Sequence, residues 1–231
     1  MPITKYKIYG ERLSGTNYVD FLMCENFQLS AIPNQQGLGD ANGGWKHGVP
    51  RLNKLNLEET LFVVIFRDIE SWARSFYHEP WETNPRSSLK EFVTKPLMKG
   101  GTRYHDIPQD NYGKTLEELR NYKIQHLMQL RDRPVNVVYV HLTPLKQFGA
   151  KHFLESIATF FNLPRKTVHF IDSKTHVKRR RIEKREQTWE DVCPPLLTFK
   201  NSKEETFVQR LETSILLKAR QDKSRKNVMW K

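Results

Sequence analysis

The apolar positions of this chain fall into runs of two kinds. Leu61–Phe66 reads Leu-Phe-Val-Val-Ile-Phe without a polar break, and Val135–Val140 is nearly as apolar. A strand with one wet face alternates apolar and polar residues, whereas a strand covered on both faces does not. These two runs therefore predict buried strands of a parallel sheet. Lys5–Tyr9 predicts a shorter strand from its aromatic and β-branched residues, and Gly10 ends it. Elsewhere the spacing is helical: around Tyr18–Met23, over Ile69–Tyr77, over Thr115–Leu130, over Phe153–Phe161 ahead of Pro164, and over Glu204–Lys218. Thr115 followed by Glu118 has the form of a capping box, and Leu119, Tyr122, Leu127 and Leu130 give that helix its expected apolar face.

Between these elements, residues 34–44 are rich in Gly, Asn and Gln and predict a loop. Trp45-Lys46-His47 is expected at the end of a short second strand, and residues 79–113 as an irregular insertion. Strands that alternate with helices predict an α/β fold, a three-layer sandwich around a mainly parallel sheet, in one domain over residues 1–231.

Composition narrows the class. With 38 Lys and Arg against 26 Asp and Glu, the chain carries a formal charge of +12, which favours an anionic partner. Basic residues concentrate in the C-terminal region, residues 174–231, above all at Lys178-Arg179-Arg180-Arg181. The two cysteines, Cys24 and Cys193, are too few for a disulfide framework or a metal cluster, so no metal site is expected. The sequence shows no secretory leader and no apolar run of membrane-spanning length. A cytoplasmic protein without a membrane partner is the resulting expectation.

Candidate chemistry begins where the first strand meets the first helix. Gly10-Glu11-Arg12-Leu13-Ser14-Gly15-Thr16 has the strand–glycine turn–helix order that cradles phosphates. Glycines let the backbone turn tightly, and a helix start offers unpaired N–H groups to an anion. ATP-binding loops of this shape continue Gly-Lys-Ser/Thr, but here Thr16 and Asn17 follow Gly15, so the lysine that reaches the outer phosphates is missing.

Ser14-Gly15-Thr16-Asn17-Tyr18 resembles the loop with which sulfotransferases hold the 5′-phosphosulfate of 3′-phosphoadenosine-5′-phosphosulfate (PAPS), typically Lys-Ser-Gly-Thr-Thr-Trp. A second match follows Leu61–Phe66: Arg67 and Ser75 stand at the spacing of the pair that holds the 3′ phosphate in that family. A third is looser. Trp45-Lys46-His47-Gly48-Val49-Pro50 is similar to the family's Lys-x-His-x-Pro segment, which supplies the catalytic base.

The resemblance implies a P-loop NTPase-like α/β fold and transfer of a sulfuryl group from PAPS to a hydroxyl or amine acceptor. It implies that Ser14, Gly15, Thr16 and Asn17 wrap the 5′ phosphate, that Tyr18 contacts adenine, and that His47 is the base. The family's lysine before Ser-Gly-Thr is replaced by Leu13, so Arg12 or Lys46 must supply that cation, or catalysis is impaired. The acceptor is a small molecule, a glycan or another group, and the basic surface favours an acidic one. Two rival expectations stand beside this one. A P-loop kinase or NTPase would take Asp68 as its Mg²⁺ carboxylate, and a non-enzymatic nucleic-acid-binding protein would use the basic runs and Trp230.

Overall fold

The computed structural model describes residues 1–33, 42–78, 89–94, 96, 115–147, 150–171, 215–218 and 228–230. Among the described residues six strands form one sheet: β1 (Lys5–Gly10), β2 (Ser30–Ala31), β3 (Thr60–Phe66), β4 (Asn136–His141), β5 (Ile215–Lys218) and β6 (Val228–Trp230), in the order β2-β1-β3-β4-β5-β6. The first four in that order are mutually parallel, and β5 and β6 add antiparallel at the β4 side. The helices are α1 (Thr16–Asn26), α2 (Ile69–His78), α3 (Leu89–Thr94), α4 (Leu116–Met128), α5 (Leu142–Gln147) and α6 (Lys151–Phe161).

The uninterrupted apolar strands are buried as their pattern requires. Leu61, Val63 and Ile65 of β3 join Val138 and Val140 of β4 in a cluster sealed by α1, α5 and α6. Phe62, Val64 and Phe66 join Val137 and Tyr139 on the opposite face, under Ile124 and Leu127 of α4. Each strand thus feeds two cores through alternate residues, and its buried polar side chains, Thr60, Asn136 and His141, stand at the strand ends. A third cluster, of Trp45, Trp72, Phe76, Phe92 and Leu119 among others, binds α2, α3 and α4 together.

Several expectations need correction. Residues 45–48 form a turn, not the end of a strand, because Gly43 and Gly44 bend the chain at φ 75 and 82 and the Gly48 N–H closes back on the Trp45 carbonyl. The second strand is Ser30–Ala31 instead. One bond, from the Gly10 N–H to the Lys46 carbonyl at 3.0 Å, still keeps the 45–48 turn against the end of β1. Residues 215–218 are strand and not helix, since the Ile-Leu-Leu run pairs with the β4 edge that would otherwise expose its backbone groups. The sheet is accordingly parallel only through β4. Within the insertion, Leu89–Thr94 is helical. The basic run at 178–181, Cys193 and the stretch 204–214 lie outside the described residues.

Helix α4 carries the capping box its sequence announces. The Thr115 hydroxyl accepts from the Glu118 N–H, and the Glu118 carboxylate accepts from the Thr115 N–H at 2.7 Å. Its buried stripe differs from the expected face: Leu116, Leu119, Arg120, Lys123, Ile124 and Leu127 point inward, and Tyr122 is half-buried. A Thr115→Ala variant is expected to lose about 1 kcal/mol of stability and about 3 °C in Tm, measured by thermal unfolding; an unchanged Tm would show that the cap is idle.

Candidate functional site

Three chain segments meet beyond the C-terminal ends of β1, β3 and β4, the edge at which open α/β sheets bind ligands. The first is the turn from Gly10 to Thr16. Leu13 and Gly15 both adopt left-handed backbone, at φ 60 and 97. Glycine takes that conformation freely, and at residue 15 it is also required by space: a Cβ there would come within 2.6 Å of Leu142 Cδ1. Leu13 takes it at a cost of roughly 1–2 kcal/mol, which the surroundings must offset. The Ser14 hydroxyl, fully buried, donates to the Glu11 carbonyl at 2.7 Å and closes the turn on itself. Helix α1 then starts at Thr16, and its leading N–H groups have no intrahelical acceptor.

The second segment is the end of β3. Arg67 donates from Nη1 to the Leu13 carbonyl at 2.9 Å, so the guanidinium lies against the glycine turn and holds its strained residue in place. Ser75 is half-buried on α2. Asp68 accepts from the Ser71 N–H at 2.7 Å, as a helix cap does, and from the Thr143 hydroxyl at 3.2 Å. Burial pushes the Asp68 carboxyl up, but those bonds and the neighbouring His141 outweigh it, and it stays below the usual carboxylate range.

The third segment is the turn at 45–48. Lys46 Nζ donates to Asn17 Oδ1 at 2.5 Å, which brings its charge to the first turn of α1. The Arg12 guanidinium stacks over the Trp45 ring at 4.7 Å. His47 is buried, meets the Trp45 ring edge-on, and has Nδ1 2.8 Å from the Gly10 carbonyl. A carbonyl only accepts, so Nδ1 carries the proton and Nε2 keeps its lone pair. Burial holds the imidazole well below its ordinary pKa; the Gly10 carbonyl opposes this, and Lys46, Lys123 and Arg12 reinforce it. Of the other predicted residues, Thr16 is buried, Asn17 exposed, and Tyr18 half-buried against the apolar cluster under α1.

Comparison of the chain with protein-family models, with curated proteins and with solved structures returns no match.

Residues outside the predicted set complete the site. Arg120 of α4, with no exposed side-chain surface, pairs with Glu11 at 2.9 Å and donates to the Arg67 carbonyl at 2.8 Å. The Trp72 indole donates to the Arg12 carbonyl at 3.0 Å. Lys146, on α5 one turn beyond Leu142 and Thr143, sits close enough to Arg67 to feel its charge. Partial desolvation first, and then Arg67, holds its ammonium below the ordinary value. Arg120 and Lys123 do carry a sequence signal: both occupy the i, i+3, i+4, i+7 stripe that Leu116, Leu119 and Leu127 define. A separate hollow of about 400 Å³ is lined by residues 49–53 with His126 and Arg133, and none of the predicted site residues borders it.

His47 and His141 give the fold a pH dependence. His141 is fully buried, and burial, opposed by Asp68 and reinforced by Arg120 and Arg67, lowers it to about 4. Below the ordinary pKa of 6.5 the unfolded chain binds protons at both rings that the folded chain refuses. Stability is therefore expected to fall as pH drops from 6.5 towards 5, with a slope per ring that steepens towards a limit of about 1.4 kcal/mol per pH unit. Urea unfolding across that window checks it: His141→Gln should flatten the slope, and a wild type equally stable at pH 7 and pH 5 would refute it.

Proposed function

We propose that this chain is a PAPS-dependent sulfotransferase with a P-loop-like phosphate turn, acting on a hydroxyl or amine acceptor. The observation that carries the reading is the 2.9 Å contact between the Arg67 guanidinium and the Leu13 carbonyl. That contact sets Arg67, which the resemblance assigns to the 3′ phosphate, beside the turn it assigns to the 5′ phosphate, and this adjacency supports the reading. The cation balance supports it further: Arg12, Lys46, Arg67 and Lys146 lie near one another, while Glu11 is taken by Arg120, Asp68 by Ser71 and Thr143, and Asp20 by the Tyr6 hydroxyl. The pairing of Asp68 also disfavours the kinase or NTPase reading, which needs that carboxylate for Mg²⁺.

In the proposed reaction the turn's N–H groups and the α1 start bind the 5′ phosphate, and Arg67 with Ser75 binds the 3′ phosphate. Lys46, already at Asn17, takes the place of the lysine that Leu13 displaces. Sulfuryl transfer resembles phosphoryl transfer, an in-line displacement with a loose transition state in which positioning and charge stabilisation dominate. The acceptor oxygen or nitrogen forms a bond to sulfur while the bond from sulfur to the bridging phosphate oxygen breaks. Lys46 and the turn stabilise the charge left on that oxygen. His47 Nε2 takes the acceptor's proton, and 3′-phosphoadenosine-5′-phosphate leaves. A dianion bound between Lys46 and Arg12 also cancels the repulsion those cations exert on His47, so the ring becomes a stronger base once the donor is seated.

Titration calorimetry with 3′-phosphoadenosine-5′-phosphate, AMP and Mg·ATP tests the donor site. The bisphosphate is expected to bind tightest, and Arg67→Ala to weaken it by about 10- to 100-fold, with AMP, which meets Arg67 only through the turn it supports, weakened by a clearly smaller factor. Equal loss for both ligands would sink the 3′-phosphate assignment. For the base, His47→Asn retains an N–H for the Gly10 carbonyl. Turnover of PAPS with a panel of phenols and amines is expected to drop by about 10²-fold or more at unchanged bisphosphate affinity. Full activity in that variant removes His47 as the base.

A further inference from the structure

Arg120 is a cation on the buried stripe of a helix, and among the described residues its contacts join three separate elements. Its Nε reaches Glu11 in the glycine turn at 2.9 Å. One of its Nη groups reaches the Arg67 carbonyl at the end of β3 at 2.8 Å. Its guanidinium lies 5.1 Å from the Trp72 ring centre on α2, and the Trp72 indole in turn holds the Arg12 carbonyl. Cohesion alone is a poor reason for a guanidinium here. Replacing a buried ion pair by apolar side chains of similar volume is commonly neutral or stabilising, whereas leaving one charge unpaired is costly. What a planar, multi-donor group supplies and a leucine does not is fixed geometry between the parts it bonds.

We propose that Arg120 is a positioning residue that sets the register between the Gly10–Thr16 turn and Arg67, so that both grip one ligand bearing two phosphate groups. For its ligand the claim rests on the reading given under Proposed function; for its effect on the turn it does not. Arg120 touches no reacting group. It works by holding Glu11 at the start of the turn and the backbone of Arg67 at a set separation, while Arg67 closes the circuit through the Leu13 carbonyl.

The test is the double variant Glu11→Leu/Arg120→Met, which removes both charges together and keeps the Ser14 bond to the Glu11 carbonyl available. It is expected to fold with a Tm near that of the wild type. Its affinity for 3′-phosphoadenosine-5′-phosphate should fall at least about tenfold, with AMP affinity changed far less. Exchange of the Ser14 amide hydrogen should quicken while amides of β3 and α4 keep their protection. A folded double variant with wild-type affinity and wild-type exchange in the turn overturns the proposal. Should the double variant not fold, Arg120→Lys takes its place, since an ammonium keeps the charge for Glu11 but cannot also span to the Arg67 carbonyl. The same two readouts and the same outcomes then decide. If the wild type binds the bisphosphate no better than AMP, the sulfotransferase reading fails, and the exchange of the turn alone decides the role of Arg120.

Discussion

A single buried ion pair organises the C-terminal edge of the sheet. Glu11 and Arg120 are separated by more than a hundred residues in sequence, yet both side chains are removed from water and lie 2.9 Å apart. Such a pair is expensive to desolvate, and leaving either member alone is more expensive still. The turn after β1 and the helix α4 therefore have to be placed together. Arg120 then fixes the end of β3 through the Arg67 carbonyl, and Arg67 fixes the turn through the Leu13 carbonyl. This closed path of bonds lets Leu13 hold a left-handed backbone that a leucine rarely adopts.

Cations outnumber carboxylates at this edge of the sheet among the described residues. Three nearby carboxylates are engaged by protein groups, Glu11 by Arg120, Asp68 by the Ser71 N–H and the Thr143 hydroxyl, and Asp20 by the Tyr6 hydroxyl. Burial lowers the pKa of Lys46 and of Arg67; Asp20 opposes this at Lys46 and Asp68 at Arg67, while Arg12 lowers that of Lys46 further. An excess of cations at one edge attracts anions from solution. It also keeps His47 neutral, because burial and three neighbouring cations all act against its protonation.

Much of the frame is legible in the residue order alone. The apolar runs at Leu61–Phe66 and Val135–Val140 place the central strands within a residue, because a doubly covered strand is apolar at nearly every interior position. Thr115 and Glu118 mark the start of α4, since a capping box is local chemistry. Gly10 and Gly15 mark the turn for the same reason. Arg120 and Lys123 are harder to read, because charged residues on an apolar stripe look like exceptions to it, when they are where the stripe meets the site. The turn at 45–48 resembles strand in its sequence because the two glycines ahead of it carry the information, and their positive φ is a property of the folded chain.

Much of the local order, then, belongs to the sequence by itself: the strands of the parallel core, the start of α4, and the glycine turn after β1. These follow from hydrophobic period and from the conformational freedom of glycine, both of which act over a few residues. Only tertiary structure decided which charges meet. The partnership of Glu11 with Arg120, the reach of Arg67 to the Leu13 carbonyl and the approach of Lys46 to Asn17 join residues that no short-range rule connects. Their cause is the parallel sheet, which brings the C-terminal ends of β1, β3 and β4 to one edge and so forces distant side chains to share it.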